Sequence, residues 1–206
     1  MPCFCCIQLL VTLLQSLLNF IHSPQAVTLP SSYSILLSDQ SAGGNLITLY
    51  YDFNDTNQSV TLGVVATNPP FGYIGLGFGR DDMFGTDMVI AIVNNSQVTI
   101  DDYWSTRHGR PALDSTIEGC KSSYYLLDSL LNATHLIYTF GRSMAAEDAC
   151  DFPLTQNSSM YLAYAWKNTS LSNHGKNYGQ ARINFTQGYT GPALPPNGSN
   201  GTGKTN

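Results

Sequence analysis

The sequence predicts an all-β fold in which two antiparallel sheets pack face to face. Three observations predict it. Charged residues make up only 11% of the 206 residues, whereas Tyr alone numbers 12. With Gly, Asn, Ser and Thr filling the gaps between apolar runs, that is the composition of a secreted β-domain rather than a helical cytosolic enzyme. Short stretches alternate apolar and polar residues with a period of two, and turn signals interrupt them about every ten residues. A chain of this length supports one domain with its own core. No internal repeat and no second domain is visible.

The elements follow in order. Ser31 to Gly44 is polar, with a short apolar patch at Ile35-Leu36-Leu37. Asn45 to Phe53 alternates, so Ile47, Leu49, Tyr51 and Phe53 share one face. Asn54-Asp55-Thr56-Asn57 is a turn, and Val60, Leu62, Val64 and Ala66 alternate again until Thr67-Asn68-Pro69-Pro70 breaks the run. Phe71 to Phe78 is the next strand and ends in the glycine-rich Gly75-Leu-Gly77-Phe-Gly79. From Thr86 to Val93, Met88, Ile90 and Ile92 face one way, while Asp87, Val89, Ala91 and Val93 face the other. Gln97 to Trp104 follows a turn at Asn94-Asn95, and Ser105 to Thr116 is a polar loop with Arg107, His108, Arg110 and Pro111. Tyr124 to Leu131 fits a strand or a short helix. Leu136, Tyr138 and Phe140 alternate, and Arg142 to Asp151 is polar and suits a helical turn. Met160 to Trp166 and Ala181 to Phe185 are the last strands, separated by the long polar loop Lys167 to Gly179.

The two ends differ from the middle. Ile7 to Ile21 is mostly apolar and breaks at His22-Ser23-Pro24-Gln25-Ala26. It is short for a membrane span and suits a signal peptide over residues 1–26, cleaved between Ser23 and Ala26. Its n-region lacks Lys and Arg, which leaves an uncleaved anchor helix, and membrane association through it, as the alternative. The domain then spans 27–187. Residues 188–206 are rich in Gly, Pro, Asn and Ser and read as a tail or linker.

Secretion settles the cysteine arithmetic. Cys3, Cys5 and Cys6 leave with the signal, so Cys120 and Cys150 are expected to form one disulfide in an oxidising compartment. Closing such a loop stabilises a fold by roughly 3–4 kcal/mol on the chain-entropy model. Sequons at Asn54, Asn57, Asn94, Asn132, Asn157, Asn168 and Asn184, and in the tail at Asn197 and Asn200, predict a glycoprotein in the same compartment. Net charge is −5, and the absence of a Lys/Arg cluster excludes a nucleic-acid footprint.

Most catalytic patterns fail on context. Gly198-Ser-Asn-Gly-Thr-Gly203-Lys204-Thr205 matches a P-loop in spelling, but a Pro-rich stretch precedes it where a buried strand is required. Gly141-Arg-Ser143-Met-Ala145 lacks the last glycine of a nucleophile elbow. His108, His135 and His174 have no zinc-ligand spacing. The carboxylate pairs Asp81-Asp82 and Asp101-Asp102 read as solvated, with calcium binding as the alternative for the first, which flanks Met83.

Met83 and His174 stand out instead. Each lies on a polar loop beside glycines, just beyond an apolar strand, where a thioether or imidazole has no apolar face to join. Sulfur and imidazole nitrogen together suit haem iron or copper. Met88 is a rival sulfur, but its periodicity with Ile90 and Ile92 predicts core packing.

These residues resemble a DOMON domain over about Asn45 to Phe185. The specific segments are Met83-Phe-Gly85-Thr-Asp87 and Ala165-Trp166 followed by His174-Gly175. Further matches are Tyr73-Ile-Gly75-Leu-Gly77-Phe78, Val98 to Tyr103, Leu136 to Arg142, Asp148 to Asp151, and Tyr161 to Trp166. The resemblance implies an immunoglobulin-like antiparallel β-sandwich. In the cytochrome branch of the family it further implies one b-type haem, with Met83 and His174 as axial iron ligands. Both iron positions are then filled, which favours one-electron transfer over oxygen binding, and the thioether raises the reduction potential. Implied partners are a membrane cytochrome or a flavoprotein at the extracellular side of the cell surface. Arg80, Arg142 and Lys176 are candidates to meet the haem propionates, and Tyr73 stands where many members carry tryptophan. A haem-free module binding a sugar or other small ligand through Tyr103, Trp104 and Trp166 is the alternative. An independent hydrolase has no residue constellation behind it.

Overall fold

A computed structural model describes residues 26–31, 33–38 and 46–185. The expected signal peptide (apart from Ala26), the expected tail and the P-loop-like spelling lie outside the described residues. Eleven strands follow one another among those residues: β1 Tyr33–Ser38, β2 Ile47–Asn54, β3 Ser59–Thr67, β4 Tyr73–Phe78, β5 Asp87–Asn94, β6 Gln97–Trp104, β7 Ala112–Leu113, β8 Tyr125–Leu131, β9 His135–Ser143, β10 Ser159–Lys167 and β11 Tyr178–Asn184. They form a five-stranded sheet in the order β1-β2-β3-β9-β8 and a six-stranded sheet in the order β11-β10-β4-β5-β6-β7. Every pairing is antiparallel. Among the described residues no helix is long and apolar enough to cross a membrane.

The period-two pattern explains how the sheets pack. Leu49, Tyr51, Leu62, Val64, Tyr138 and Phe140 point inward from the first sheet, and Ile74, Leu76, Val89, Ala91, Leu162 and Trp166 from the second; all belong to one buried cluster. Burying one such large side chain stabilises the fold by about 1.5–3 kcal/mol relative to exposure. At one end Phe185 closes the sandwich, its ring 5.1 Å from that of Tyr51.

Two local expectations are corrected and one open alternative is decided. The patch Ile35-Leu36-Leu37 lies on strand β1, with Ile35 and Leu37 buried. Two apolar residues one pleat apart are enough for an edge strand whose register comes from β2. Tyr125–Leu131 resolves as a strand, because β9 supplies its hydrogen bonds. Arg142 to Asp151 holds no helix; the one helical turn among the described residues is a 3-10 turn at Asp114–Thr116. Asp148 accepts from Lys121 and Cys150 backbone N–H groups, so the 142–151 segment is ordered by its side chains instead.

Cys120 and Cys150 form the expected disulfide, with Cα atoms 5.8 Å apart. It ties the segment leading into β8 to the turn that follows β9. The seven described sequon asparagines, Asn54, Asn57, Asn94, Asn132, Asn157, Asn168 and Asn184, are all exposed.

Candidate functional site

The outer face of the six-stranded sheet is the place to look. Alternation sends Ile74, Leu76 and Phe78 into the core, so Tyr73, Gly75 and Gly77 face outward on β4. Register then places Gly77 between Ala163 of β10 and Met88 of β5, and Gly75 between Ala165 and Ile90. Four small residues in two adjacent rows leave a shallow floor where other strands would carry side chains. At Gly77 the floor is fixed by close approach: a Cβ there would lie 2.7 Å from Thr86 Cγ2. The result is a cleft of about 690 Å³, within the usual range of ligand sites.

Two loops raise the walls, and the sequence candidates lie on them. Met83 and His174 both line this cleft, each half-buried. The Met83 loop is held from both sides. Thr86 Oγ1 donates to Asp82 O, and Gly85 N donates to Ser105 O at 2.6 Å. Gly85 turns the chain with φ +67°, a conformation that favours glycine. Asp82 also pairs with His108 Nε2 at 3.3 Å, linking the loop to the 105–111 segment.

The His174 loop is pinned to the sheet below it. Tyr73 Oη donates to Ser172 O at 2.8 Å, and Lys167 Nζ to Asn173 O at 2.7 Å. Tyr73 therefore adds an anchoring hydroxyl where a tryptophan would present an indole. His174 Nδ1 lies 3.2 Å from Gly175 O. A carbonyl only accepts, so Nδ1 is the donor in this contact, which leaves Nε2 as the nitrogen that could act as a ligand. The Tyr178 ring sits 4.7 Å from the imidazole and limits its rotation.

Several side chains are placed differently from expectation. Met88 is not in the intersheet core. It lies half-buried on the cleft floor, because the face it shares with Ile90 and Ile92 is the outer one. Tyr103 and Trp166 are buried, and Trp104 stacks on Phe152, so none of the three lines the cleft; its aromatic lining is Tyr73, Tyr164 and Tyr178. Arg80 and Lys176 are exposed but not among the lining residues. The basic side chains that line it besides His174 are His108 and Arg110. The sequence shows both on the polar loop 105–116 but does not assign them to this site, because a polar loop discloses nothing of what it covers.

Arg142 is far from any surface role. It is fully buried and donates from Nη1 to Asp87 Oδ2 at 2.6 Å and to Tyr124 Oη at 2.8 Å, while Nη2 lies 3.4 Å from Asp151. Tyr124 Oη and Phe152 N donate to the two oxygens of Asp87. Burial opposes the charge on Arg142, but Tyr124, Asp87 and Asp151 hold its pKa above the ordinary arginine value. Burial pushes Asp87 up to about 7 against the pull of Arg142 and the Phe152 N–H. Three of the sequence segments flagged above, those ending in Asp87, Arg142 and Asp151, thus meet in one buried network behind the cleft.

Two antiparallel sheets with a loop-walled cleft on the outer face of one define a β-sandwich domain. A family model for the DOMON domain matches residues 43–167, more than half of the chain, and the protein belongs to that family. Met83 lies within the matched residues and His174 just beyond them. No curated protein sequence matches the chain. Among solved structures, it is similar to the cytochrome b domain of pyranose dehydrogenase from Coprinopsis cinerea. The two share 16% identity at a TM-score of 0.54, over 71% of this chain and 78% of that one. It is also similar to the cytochrome domain of Myriococcum thermophilum cellobiose dehydrogenase, at 13% identity and a TM-score of 0.55, over 76% and 85% of the two chains. Likeness at this identity establishes the shared sandwich.

Proposed function

We propose that this protein is an extracellular one-electron-transfer domain that holds a single b-type haem in the face cleft, with Met83 and His174 as the axial ligands. The observation that carries it is the convergence of these two side chains, about ninety residues apart in sequence, on one cleft. The donor set fits the group: a thioether and an imidazole suit haem iron. The cleft fits it too, since Gly75, Gly77, Ala163 and Ala165 leave a flat floor for a planar ligand. The named cytochrome domains with the same fold support the reading.

When bound, the haem would supply a single-electron redox centre. The protein's own residues do the rest. Gly175 O holds His174 in the tautomer whose Nε2 is free to ligate, and Tyr73 and Lys167 keep its loop in place. Met83 is presented by a loop stapled to Ser105 and Asp82. Arg110 and His108 are the basic side chains that would meet propionates, in place of Arg80, Arg142 and Lys176. A membrane cytochrome or a flavoprotein is the proposed redox partner.

Absorbance spectra of the purified protein, expressed with ample haem, test the proposal in oxidised and reduced forms. The expected result is a Soret band and sharpened α and β bands on reduction. Met83→Ala and His174→Ala should each lose the six-coordinate spectrum. A folded wild-type protein without Soret absorption would sink the proposal.

A further inference from the structure

We infer that Asp102, Asp114 and Asp151 form a buried binding site for one calcium ion, between the sheets on the opposite face of β6 from the cleft. Three separate segments bring these residues together: Asp102 is on β6, Asp114 opens the 3-10 turn, and Asp151 follows Cys150. One carboxylate oxygen from each lies within 4.8 Å of the other two, and all three residues are buried.

The hydrogen bonds show which oxygens are already used. Asp102 Oδ2 accepts from Ser123 N at 2.7 Å and from Ser123 Oγ at 2.9 Å, while Oδ1 has no partner among the described residues. Asp151 Oδ1 lies 3.0 Å from Ser123 Oγ, and Oδ2 accepts from Glu147 N. Asp114 is 0% exposed, and neither of its oxygens has a partner among the described residues. An orphaned buried carboxylate is among the most costly features a fold can carry.

The charge balance points the same way. Asp87, Asp102, Asp114 and Asp151 lie together in this interior with one cation, Arg142, which is committed to Asp87 and Asp151. Asp102 and Asp114 are left without a positive partner, and one divalent cation balances both. A donor set made wholly of oxygen selects a hard ion. Calcium fits better than magnesium, because carboxylates brought from a strand, a 3-10 turn and a loop suit its flexible coordination better than the near-ideal octahedron magnesium demands. The Cys120–Cys150 disulfide, beside Asp151, holds two of the contributing segments together.

The test uses full-length protein stripped with EDTA and desalted, with or without haem. Titration calorimetry with CaCl2 should give one site per chain, and calcium should raise the Tm above its value in chelator. Asp114→Asn should weaken calcium binding at least about tenfold. Asp55→Asn, on an exposed turn, should leave it unchanged. If Asp114→Asn fails to fold, the wild-type comparison of calcium with chelator still decides. No calcium heat and no Tm change in wild type would overturn the site, as would Asp114→Asn binding with wild-type affinity or a preference for magnesium. None of these readings involves Met83 or His174, so the haem proposal stands or falls separately.

Discussion

Arg142 is a cation with no access to water, and its environment explains what it does. Its guanidinium meets Asp87, Asp151 and the Tyr124 hydroxyl, and its carbon sits 4.8 Å above the Tyr124 ring. Removing one partner of a buried pair leaves the other uncompensated. Arg142→Met should therefore destabilise the domain by about 3–5 kcal/mol, measured by urea unfolding. Pairing it with Asp87→Leu should recover part of that loss. If Arg142 were only a surface charge, the single substitution would change stability by less than about 0.5 kcal/mol. Residue type gave no warning of this, because an arginine before Ser143 looks the same in sequence whether it meets solvent or carboxylates. The one available signal was its place on β9, where Tyr138, Phe140 and Arg142 share an inward face.

At the scale of elements, the outer floor of β4 and β10 is what makes the cleft. Its two glycines are not equivalent. A Cβ at Gly77 would collide with Thr86, whereas one at Gly75 would meet Ile90 and Ala165 only at 3.6 and 3.9 Å. Gly75→Leu should thus leave the sandwich folded, with an unchanged far-ultraviolet circular dichroism spectrum, and fill the cleft. Haem uptake should then fall to background in a reconstitution titration. Wild-type uptake by this variant would contradict the floor's role. Period two tells which residues of β5 share a face but not which face meets the core, and the expectation of Met88 in the core fails for that reason. Register with β4 and β6 settles it, since Val89 and Ala91 pack inward. Asp102 corrects the reading of its pair as solvated: it follows Val98 and Ile100 on the inward face of β6 and is buried, because the pleat decides which way it points and an acidic neighbour does not.

For the whole molecule, the buried acidic interior links stability to pH. Burial, reinforced by the charges of Asp102 and Asp87, pushes Asp114 up to about 8 in the ion-free fold. In the unfolded chain an aspartate titrates near about 3.9. Between those values the fold holds a proton that the unfolded chain has released, so its contribution is greatest at low pH and is lost as pH rises toward about 8. In chelator, the Tm of wild type relative to Asp114→Asn should fall from about pH 5 to about pH 8. A constant difference would show that Asp114 does not titrate in this range. Calcium should remove the slope by replacing the proton.

The sequence by itself determined the all-β class, most strand positions, the Cys120–Cys150 pairing and the two loop residues worth pursuing. These rest on local rules: pleat periodicity, turn chemistry and an even cysteine count. Only the tertiary structure decided that Met83 and His174 line the same cleft, that the face bearing Met88 is outside, that Arg142 is buried, and that three distant aspartates share one interior. Each of those depends on which strands pair and in what register. Hydrogen bonding between segments far apart in the chain sets that register, and residue spacing alone does not encode it.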